Sequence, residues 1–153
     1  MEDPVNISPW IPLNPRELNQ PIIEDTQGIT VTTYTSPYDV PEAVRGYRDM
    51  NSNLCTIEFK YMGGKEPLKP ETENDTTLWI GRKSGRLYRI ELGQEANQQL
   101  QRYGLAGVNE VKSEVDRAID LLTETPRLPL RKDNYEIAKK VLNYNVELFE
   151  RFL

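Results

Sequence analysis

The sequence contains no histidine and a single cysteine, Cys55. The absence of histidine excludes Ser-His-Asp and Cys-His catalysis, histidine-based proton transfer and histidine-ligated metals. One cysteine excludes an internal disulfide and any cysteine-rich zinc site. The phosphate-binding and dinucleotide-binding glycine patterns are missing as well. The sequence therefore predicts no catalytic residue, no metal and no cofactor.

The sequence also lacks a long apolar run, a basic-then-apolar leader and an excess of positive charge. No stretch approaches the roughly 20 apolar residues of a membrane span, so we expect a cytoplasmic protein that does not bind membranes. The net charge is -5. Duplex nucleic acid normally requires a basic face, so this balance argues against duplex binding.

The chain has 153 residues, which is long enough for one domain with a hydrophobic core. Five prolines fall within residues 1–28, and proline fixes φ and removes a backbone donor. We therefore predict a proline-rich extended arm over residues 1–28 and a single α+β domain over residues 29–153. Within the arm Trp10 is too apolar for a free tail, which makes it a candidate contact with the body of the protein or with a partner.

Four segments have the composition of strands, with β-branched and aromatic residues between turn residues. They cover residues 29–34, 54–62, 77–82 and 86–92. The last two flank a short glycine-containing connection and predict a hairpin. The residues between 62 and 75 are polar and contain two prolines, which predicts a surface loop. In the second strand Cys55 shares a face with Ile57 and Phe59, so we expect its thiol to be buried and unreactive.

Four further segments have helical spacing of apolar residues. A capping pattern at Asp39 predicts a short helix over residues 39–50, directly after the first strand. Helices are also predicted over residues 94–103, where Gly104 is the stop, over 108–123, and from 133 to the end of the chain. The resulting order is β-α-β-β-β-α-α-α. This segregation predicts an α+β fold in which an antiparallel meander of about four strands carries three C-terminal helices on one face.

The predicted hairpin collects basic and aromatic residues that form a candidate binding site: Trp79, Arg82, Lys83, Arg86, Tyr88 and Arg89. Such interleaving suits single-stranded nucleic acid or phosphorylated ligands, through stacking and charge. The alternative is a hairpin tip that is charged for solubility.

The segment Glu58-Phe59-Lys60 resembles the acid-x-Lys element of PD-(D/E)xK nucleases. The resemblance covers three residues. It implies a carboxylate that holds a metal ion and a lysine that helps to activate the attacking water. The family also needs an upstream acid on a neighbouring strand, and the nearest one here is Asp49, at the end of a predicted helix. The alternative is a cross-strand charge pair on the outer face of the sheet.

The predicted C-terminal helix has an apolar face broader than packing against one layer requires. Together with Trp10, its residues Leu142, Phe149 and Phe152 are candidates for contact with a protein partner or with a second copy of the chain. The leading hypothesis is thus a non-catalytic protein-interaction module: an adaptor, an immunity-type inhibitor or a complex subunit. The alternative is a binding protein or metal-dependent enzyme for an anionic substrate, using the basic hairpin with Glu58 and Lys60.

Overall fold

Six antiparallel strands form the main sheet in the computed structural model, which describes residues 9–49, 51–124 and 132–152. Their order across the sheet is β1-β4-β5-β8-β7-β6. The strands are β1 (Ile11–Pro12), β4 (Ala43–Arg48), β5 (Cys55–Lys60), β6 (Leu68–Glu73), β7 (Thr76–Gly81) and β8 (Leu87–Leu92). The fold is α+β, as predicted, and the sheet is larger than the four strands expected. The predicted hairpin is the β7–β8 pair, but β5 pairs with β8, so the sheet is not a simple meander.

Two more strands, β2 (Ile22–Thr26) and β3 (Ile29–Thr33), form a separate antiparallel hairpin. Gln27 and Gly28 connect them with φ values of 53° and 79°. Two successive positive φ angles are the geometry of a type I′ turn, whose twist matches that of the strands it joins. The predicted strand over 29–34 is therefore present as β3. It pairs with β2, which lies in the segment predicted as an extended arm, and not with the main sheet.

The helices are α1 (Pro15–Leu18), α2 (Gln94–Tyr103), α3 (Leu105–Leu122), α4 (Lys132–Tyr144) and α5 (Glu147–Glu150). α2 ends at Gly104, as predicted. α3 packs on β6 and β7, α4 on β8 and α5 on β4. The strands meet them with a row of residues that pair across β5, β8 and β7, namely Ile57, Ile90 and Leu78, each at most 1% exposed. No helix in the described part of the chain is long and apolar enough to cross a membrane.

The prediction of a helix over residues 39–50 is wrong. A single 3-10 turn covers Pro37–Asp39, and Ala43–Arg48 is the strand β4 between β1 and β5. The environment of Gly46 shows why this segment is a strand although its apolar residues have helical spacing: tertiary packing overrides the local pattern. A Cβ built on it would lie 3.2 Å from the backbone oxygen of Leu148 and 3.4 Å from the ring of Phe152. The glycine thus lets α5 sit directly on the strand.

Two further expectations also fail. The segment 62–75, predicted as a loop, contains the edge strand β6, where Pro70 is tolerated because an edge strand leaves half of its donors unpaired. The C-terminal helix does not run continuously, because α4 ends at Tyr144 and α5 begins at Glu147. The last residue, Leu153, lies outside the described residues.

The break between α4 and α5 places the broad apolar stripe inside this chain. Leu142 and Phe149 are 0% exposed, and Phe152 is 3% exposed. These three candidate interaction residues belong to the core between the sheet and the helices, so none of the three offers a surface to a partner. Cys55 is also buried, as predicted, and its burial raises the pKa of the thiol.

Candidate functional site

The face of the main sheet opposite the helices, which we term the outer face, carries a row of charged and aromatic side chains. Arg45 on β4 pairs with Glu58 on β5, which pairs with Arg89 on β8, which pairs with Trp79 on β7. Because side chains alternate along a strand, this row lies on the side of the sheet that faces away from Ile57, Ile90 and Leu78. Four strands therefore bring these residues together at one level of the sheet.

Arg45 and Glu58 form an ion pair in which both nitrogens are close to one carboxylate oxygen. The Nε and Nη2 atoms of Arg45 each lie 2.7 Å from Oε1 of Glu58. The guanidinium of Arg45 also lies 4.2 Å from the ring centroid of Trp10. Burial, followed by the neighbouring Glu58 carboxylate, raises the pKa of Tyr47 to about 12. The phenol therefore stays neutral, and the charge of Glu58 is balanced by Arg45.

Arg89 is placed differently, since its guanidinium stacks on an aromatic ring and not on a carboxylate. It lies 4.7 Å from the ring centroid of Trp79, whose Nε1 donates to Oε1 of Glu91 at 2.7 Å. The Nε atom of Arg89 is buried and has no hydrogen-bond partner among the described residues. A buried guanidinium donor without an acceptor costs free energy, which makes this atom the least satisfied group of the outer face.

A cavity of about 430 Å³ is lined by three residues of this row, Arg45, Glu58 and Arg89. Its walls combine aromatic rings with four cationic side chains and two carboxylates. The lining includes Trp10, Arg45, Glu58, Lys60, Lys65, Glu66, Tyr88 and Arg89. Lys60 and Lys65 make no ion pair within the described ranges, whereas Arg45 is paired with Glu58. The cavity thus contains more uncommitted positive than negative charge, although the chain as a whole is acidic.

Glu66 borders this cavity and is held by the connection between β7 and β8. Its carboxylate accepts hydrogen bonds from the backbone N–H of Lys83 (2.8 Å) and Ser84 (3.0 Å). The hydroxyls of Ser84 (2.6 Å) and Tyr88 (2.9 Å) donate to its other oxygen. Burial alone would raise the pKa of Glu66, but these four donors lower it to about 2. Glu66 is therefore an ionised structural anchor whose acceptor capacity is taken up.

Replacing this anchor by Glu66→Gln should destabilise the protein in a pH-dependent way. The folded-state pKa is depressed, so the ionised carboxylate stabilises the fold above its unfolded pKa of roughly 4.3, and this contribution is lost as pH falls toward 2. We expect the free energy of unfolding to drop by about 2 kcal/mol at pH 7 and by roughly half as much near pH 3, where the folded-state carboxyl is still largely ionised. Urea unfolding of both proteins at the two pH values measures the difference. An equal loss at both pH values would contradict the proposed role of the charge.

The candidate binding residues of the predicted hairpin do not form one site. Trp79, Arg89 and Tyr88 lie on the outer face or in the cavity. Arg86 forms ion pairs with two carboxylates: its Nε lies 2.7 Å from Oδ1 of Asp39 and its Nη1 lies 3.9 Å from Oε2 of Glu66. Arg82 and Lys83 are exposed at the tip and do not line the cavity. The structure thus separates a stacked group from a charged tip.

The acid-x-Lys segment takes the geometry of a cross-strand charge pair, through Arg45 and Glu58. Asp49 is occupied in a turn, where its Oδ1 accepts from the backbone N–H of Asn51 (2.8 Å) and of Ser52 (3.1 Å). Within residues 9–49, 51–124 and 132–152, no three histidine, cysteine, aspartate or glutamate side chains are grouped so that they could hold a metal ion.

Sequence reasoning missed Arg45, Lys65 and Glu66 as members of the site. Arg45 lies in the segment predicted as a helix, and the other two lie in the segment predicted as a mobile loop. The detectable signal was the alternation of Ala43, Arg45 and Tyr47 against Val44 and Gly46, which has the period of a half-buried strand. Comparisons of this chain with protein-family models, with curated proteins and with solved structures find no match.

Proposed function

We propose that this chain is a non-catalytic protein-interaction module, and that it binds an extended segment of another protein as an additional strand along β3. The observation that carries the proposal is the β2–β3 hairpin. All ten of its strand residues are exposed, and the two strands pair only with each other. A two-stranded hairpin is at best marginally stable in water, so an exposed one gains from a third strand.

One face of the exposed hairpin carries three large apolar residues, with Glu24 paired opposite Val31 on the same face. Because residues that pair across an antiparallel ladder share a face, Ile22, Val31 and Ile29 lie on the same side. They are 45%, 51% and 64% exposed. Clusters of large exposed apolar residues typically mark sites of protein contact. A partner strand with alternating apolar residues would extend this face and cover part of it.

The two edges of the hairpin differ in how well they are protected. β2 carries Glu24 and Asp25 and follows Pro21, which are features that discourage strand addition. β3 has the sequence ITVTT, with no charge and no proline, and all five residues are β-branched. An edge of this composition favours pairing with another extended chain. The β3 edge is therefore the acceptor edge in this proposal.

The base of the hairpin is fixed to the body of the protein. The side-chain amide of Asn19 donates to the backbone oxygen of Thr35 (2.8 Å), and its Oδ1 accepts from the backbone N–H of Thr35 (2.9 Å). Leu18, next to Asn19, is buried in the core. These hydrogen bonds close the base of the hairpin and Leu18 anchors that base in the core, which lowers the entropic cost of binding a partner.

Proline scanning of the two edges tests the proposal. The Thr26–Ile29 pair closes a two-residue turn, and hydrogen-bonded pairs alternate along an antiparallel ladder. The backbone groups of Thr32 on β3 and of Ile23 on β2 therefore point away from the hairpin. Thr32→Pro removes a donor from the β3 edge, while the matched variant Ile23→Pro removes one from the β2 edge. Both variants keep the ladder between β2 and β3.

Peptides are selected on the wild-type protein from a display library of extended random sequences, and their affinities are measured by fluorescence anisotropy. We expect Thr32→Pro to weaken the selected peptides by about tenfold or more, and Ile23→Pro by less than about twofold. Equal binding to both variants would contradict strand addition at β3. Failure to select any peptide would also contradict the proposal that a segment of another protein binds along β3. The same holds if the wild type is a dimer that Thr32→Pro converts to a monomer, because the β3 edge would then pair with a second copy of this chain.

A further inference from the structure

We propose that the cavity on the outer face binds a small phosphate monoester carried on a flat ring, such as a nucleoside monophosphate. The site consists of Arg89, Lys60 and Lys65 as the phosphate-binding cations and of Trp10 and Tyr88 as the ring-binding walls. It is independent of the hairpin proposed for protein binding, because none of the residues of β2 or β3 lines this cavity.

The charge of the ligand follows from which groups of the cavity are already paired. Arg45 and Glu58 neutralise each other at 2.7 Å. The oxygens of Glu66 are occupied by four donors from Lys83, Ser84 and Tyr88. Arg89, Lys60 and Lys65 have no ion pair within the part of the chain that the structure describes. Three uncommitted cations around one cavity favour a ligand with two negative charges over one with a single carboxylate.

Arg89 is the most rigidly placed of the three cations. Its Nε is buried and lacks an acceptor among the described residues, while the face of its guanidinium is covered by Trp79. The stacking fixes the plane of the guanidinium and leaves its edge for an acceptor. Because Nε is buried and Arg89 lines the cavity, the terminal nitrogens of the guanidinium are the donors that a phosphate in the cavity would meet. Guanidinium groups bind phosphate oxygens through two parallel hydrogen bonds.

The shape and walls of the cavity favour a flat group behind the phosphate. Its volume of about 430 Å³ falls in the range of small-molecule sites, roughly 300–1,000 Å³. Trp10 and Tyr88 contribute aromatic surface, and the ring of Tyr88 is held edge to face, at 5.0 Å, against the buried ring of Tyr61. Such walls bind planar rings by stacking without requiring a particular hydrogen-bond pattern.

Tryptophan fluorescence reads this site directly, because the chain contains only two tryptophans and both lie on the outer face. The wild-type protein is titrated with adenosine monophosphate, phenyl phosphate, inorganic phosphate and uncharged adenosine. We expect saturable quenching by the two monoesters and weaker binding, by about tenfold or more, of inorganic phosphate and of adenosine. Binding of adenosine equal to that of the monophosphate would overturn the role of the cations. Binding of inorganic phosphate equal to that of the monoesters would overturn the role of the rings.

A charge-matched pair of variants separates the site from the general field of the protein. Lys60→Gln with Lys65→Gln removes two cations from the cavity, whereas Arg82→Gln with Lys83→Gln removes two from the exposed hairpin tip. We expect the first pair to weaken monoester binding by about tenfold or more and the second by less than about twofold. All four side chains are outside the core, so the fold should survive both changes. Equal weakening by both pairs, or no quenching by any probe with the wild type, would reject the site.

Discussion

Phe149→Asp is expected to leave the chain without a cooperative fold under conditions in which the wild type is fully folded. Phe149 is 0% exposed, and its ring meets that of Phe152 edge to face at 6.1 Å. Removing a buried phenyl ring costs about 3–5 kcal/mol, because it forfeits the transfer free energy and leaves a cavity. The carboxylate then has to be desolvated beside apolar neighbours, which costs several kcal/mol more. The sum is comparable to the total stability of an ordinary domain, roughly 5–15 kcal/mol.

Tyr144→Asp is the matched control, because it introduces the same charge at the end of the preceding helix. Tyr144 is 67% exposed, so its replacement should change the free energy of unfolding by less than about 1 kcal/mol. Far-ultraviolet circular dichroism and urea unfolding distinguish the two variants. If Phe149→Asp gave instead a folded monomer from a wild-type dimer, the residue would lie at an interface between copies and its placement in the core would be wrong.

The parts of the fold that could be predicted from the sequence are those that short-range patterns determine. β7 and β8 were identifiable because β-branched and aromatic runs flank a short glycine-containing turn. The end of α2 was identifiable because glycine commonly ends a helix, where it adopts a positive φ that other residues adopt rarely. Gly104 has a φ of 55°. Each of these signals involves neighbours in the chain. None of them depends on what packs against the element.

The parts that could not be predicted depend on contacts between distant residues. Ala43–Arg48 has apolar residues at both helical and strand spacing, and the choice is made by its pairing with β1 and β5. Pro67 precedes β6 and Pro70 lies within it, and both favour a loop. The segment becomes a strand because β7 pairs with it along its whole length. The break after Tyr144 similarly follows from the docking of α5 on β4, which the apolar pattern alone does not reveal.

The candidate site divides in the same way. Trp79, Tyr88 and Arg89 were found because aromatic and basic residues alternate along one hairpin. They are not grouped with Arg82 and Arg86. Arg86 forms an ion pair with Asp39, and Arg82 lies in the turn and does not line the cavity. Arg45 joins the site only through the strand register that places it opposite Glu58. Register is a property of the assembled sheet, so sequence periodicity could not supply it.

Asn134 connects the helical layer to the sheet and should be the most sensitive polar position in the core. It is 0% exposed, and its Oδ1 accepts from the backbone N–H of Leu87 at 2.9 Å. Its Nδ2 donates to the backbone oxygen of Asp39 and to the hydroxyl of Tyr61, each at 2.8 Å. The same hydroxyl donates to the backbone oxygen of Leu87 at 2.6 Å. The sequence placed Asn134 in the first turn of the predicted C-terminal helix, and its side chain joins three separate parts of the fold.

Asn134→Leu keeps the branched shape and the number of heavy atoms of the side chain and removes all three of its hydrogen bonds. The N–H of Leu87 and the carbonyl of Asp39 would then be left without this partner in a buried environment, at about 1–3 kcal/mol for each group. We expect the free energy of unfolding to fall by about 3–5 kcal/mol in total. The measurement is the midpoint of urea unfolding at neutral pH, with the slope checked so that a change in the unfolded state is not mistaken for lost stability.

Asn143→Leu is the control on the same helix, because Asn143 is exposed and its side chain donates only to the backbone oxygen of Lys139 one turn earlier. Its replacement should cost less than about 0.5 kcal/mol. Tyr61→Phe adds a second test, since it removes one hydroxyl from the same network. The losses from Asn134→Leu and Tyr61→Phe should not add, and the double variant should be more stable than their sum predicts by about 1 kcal/mol. Full additivity, or an Asn134→Leu variant as stable as Asn143→Leu, would show that this network does not hold α4 against the sheet.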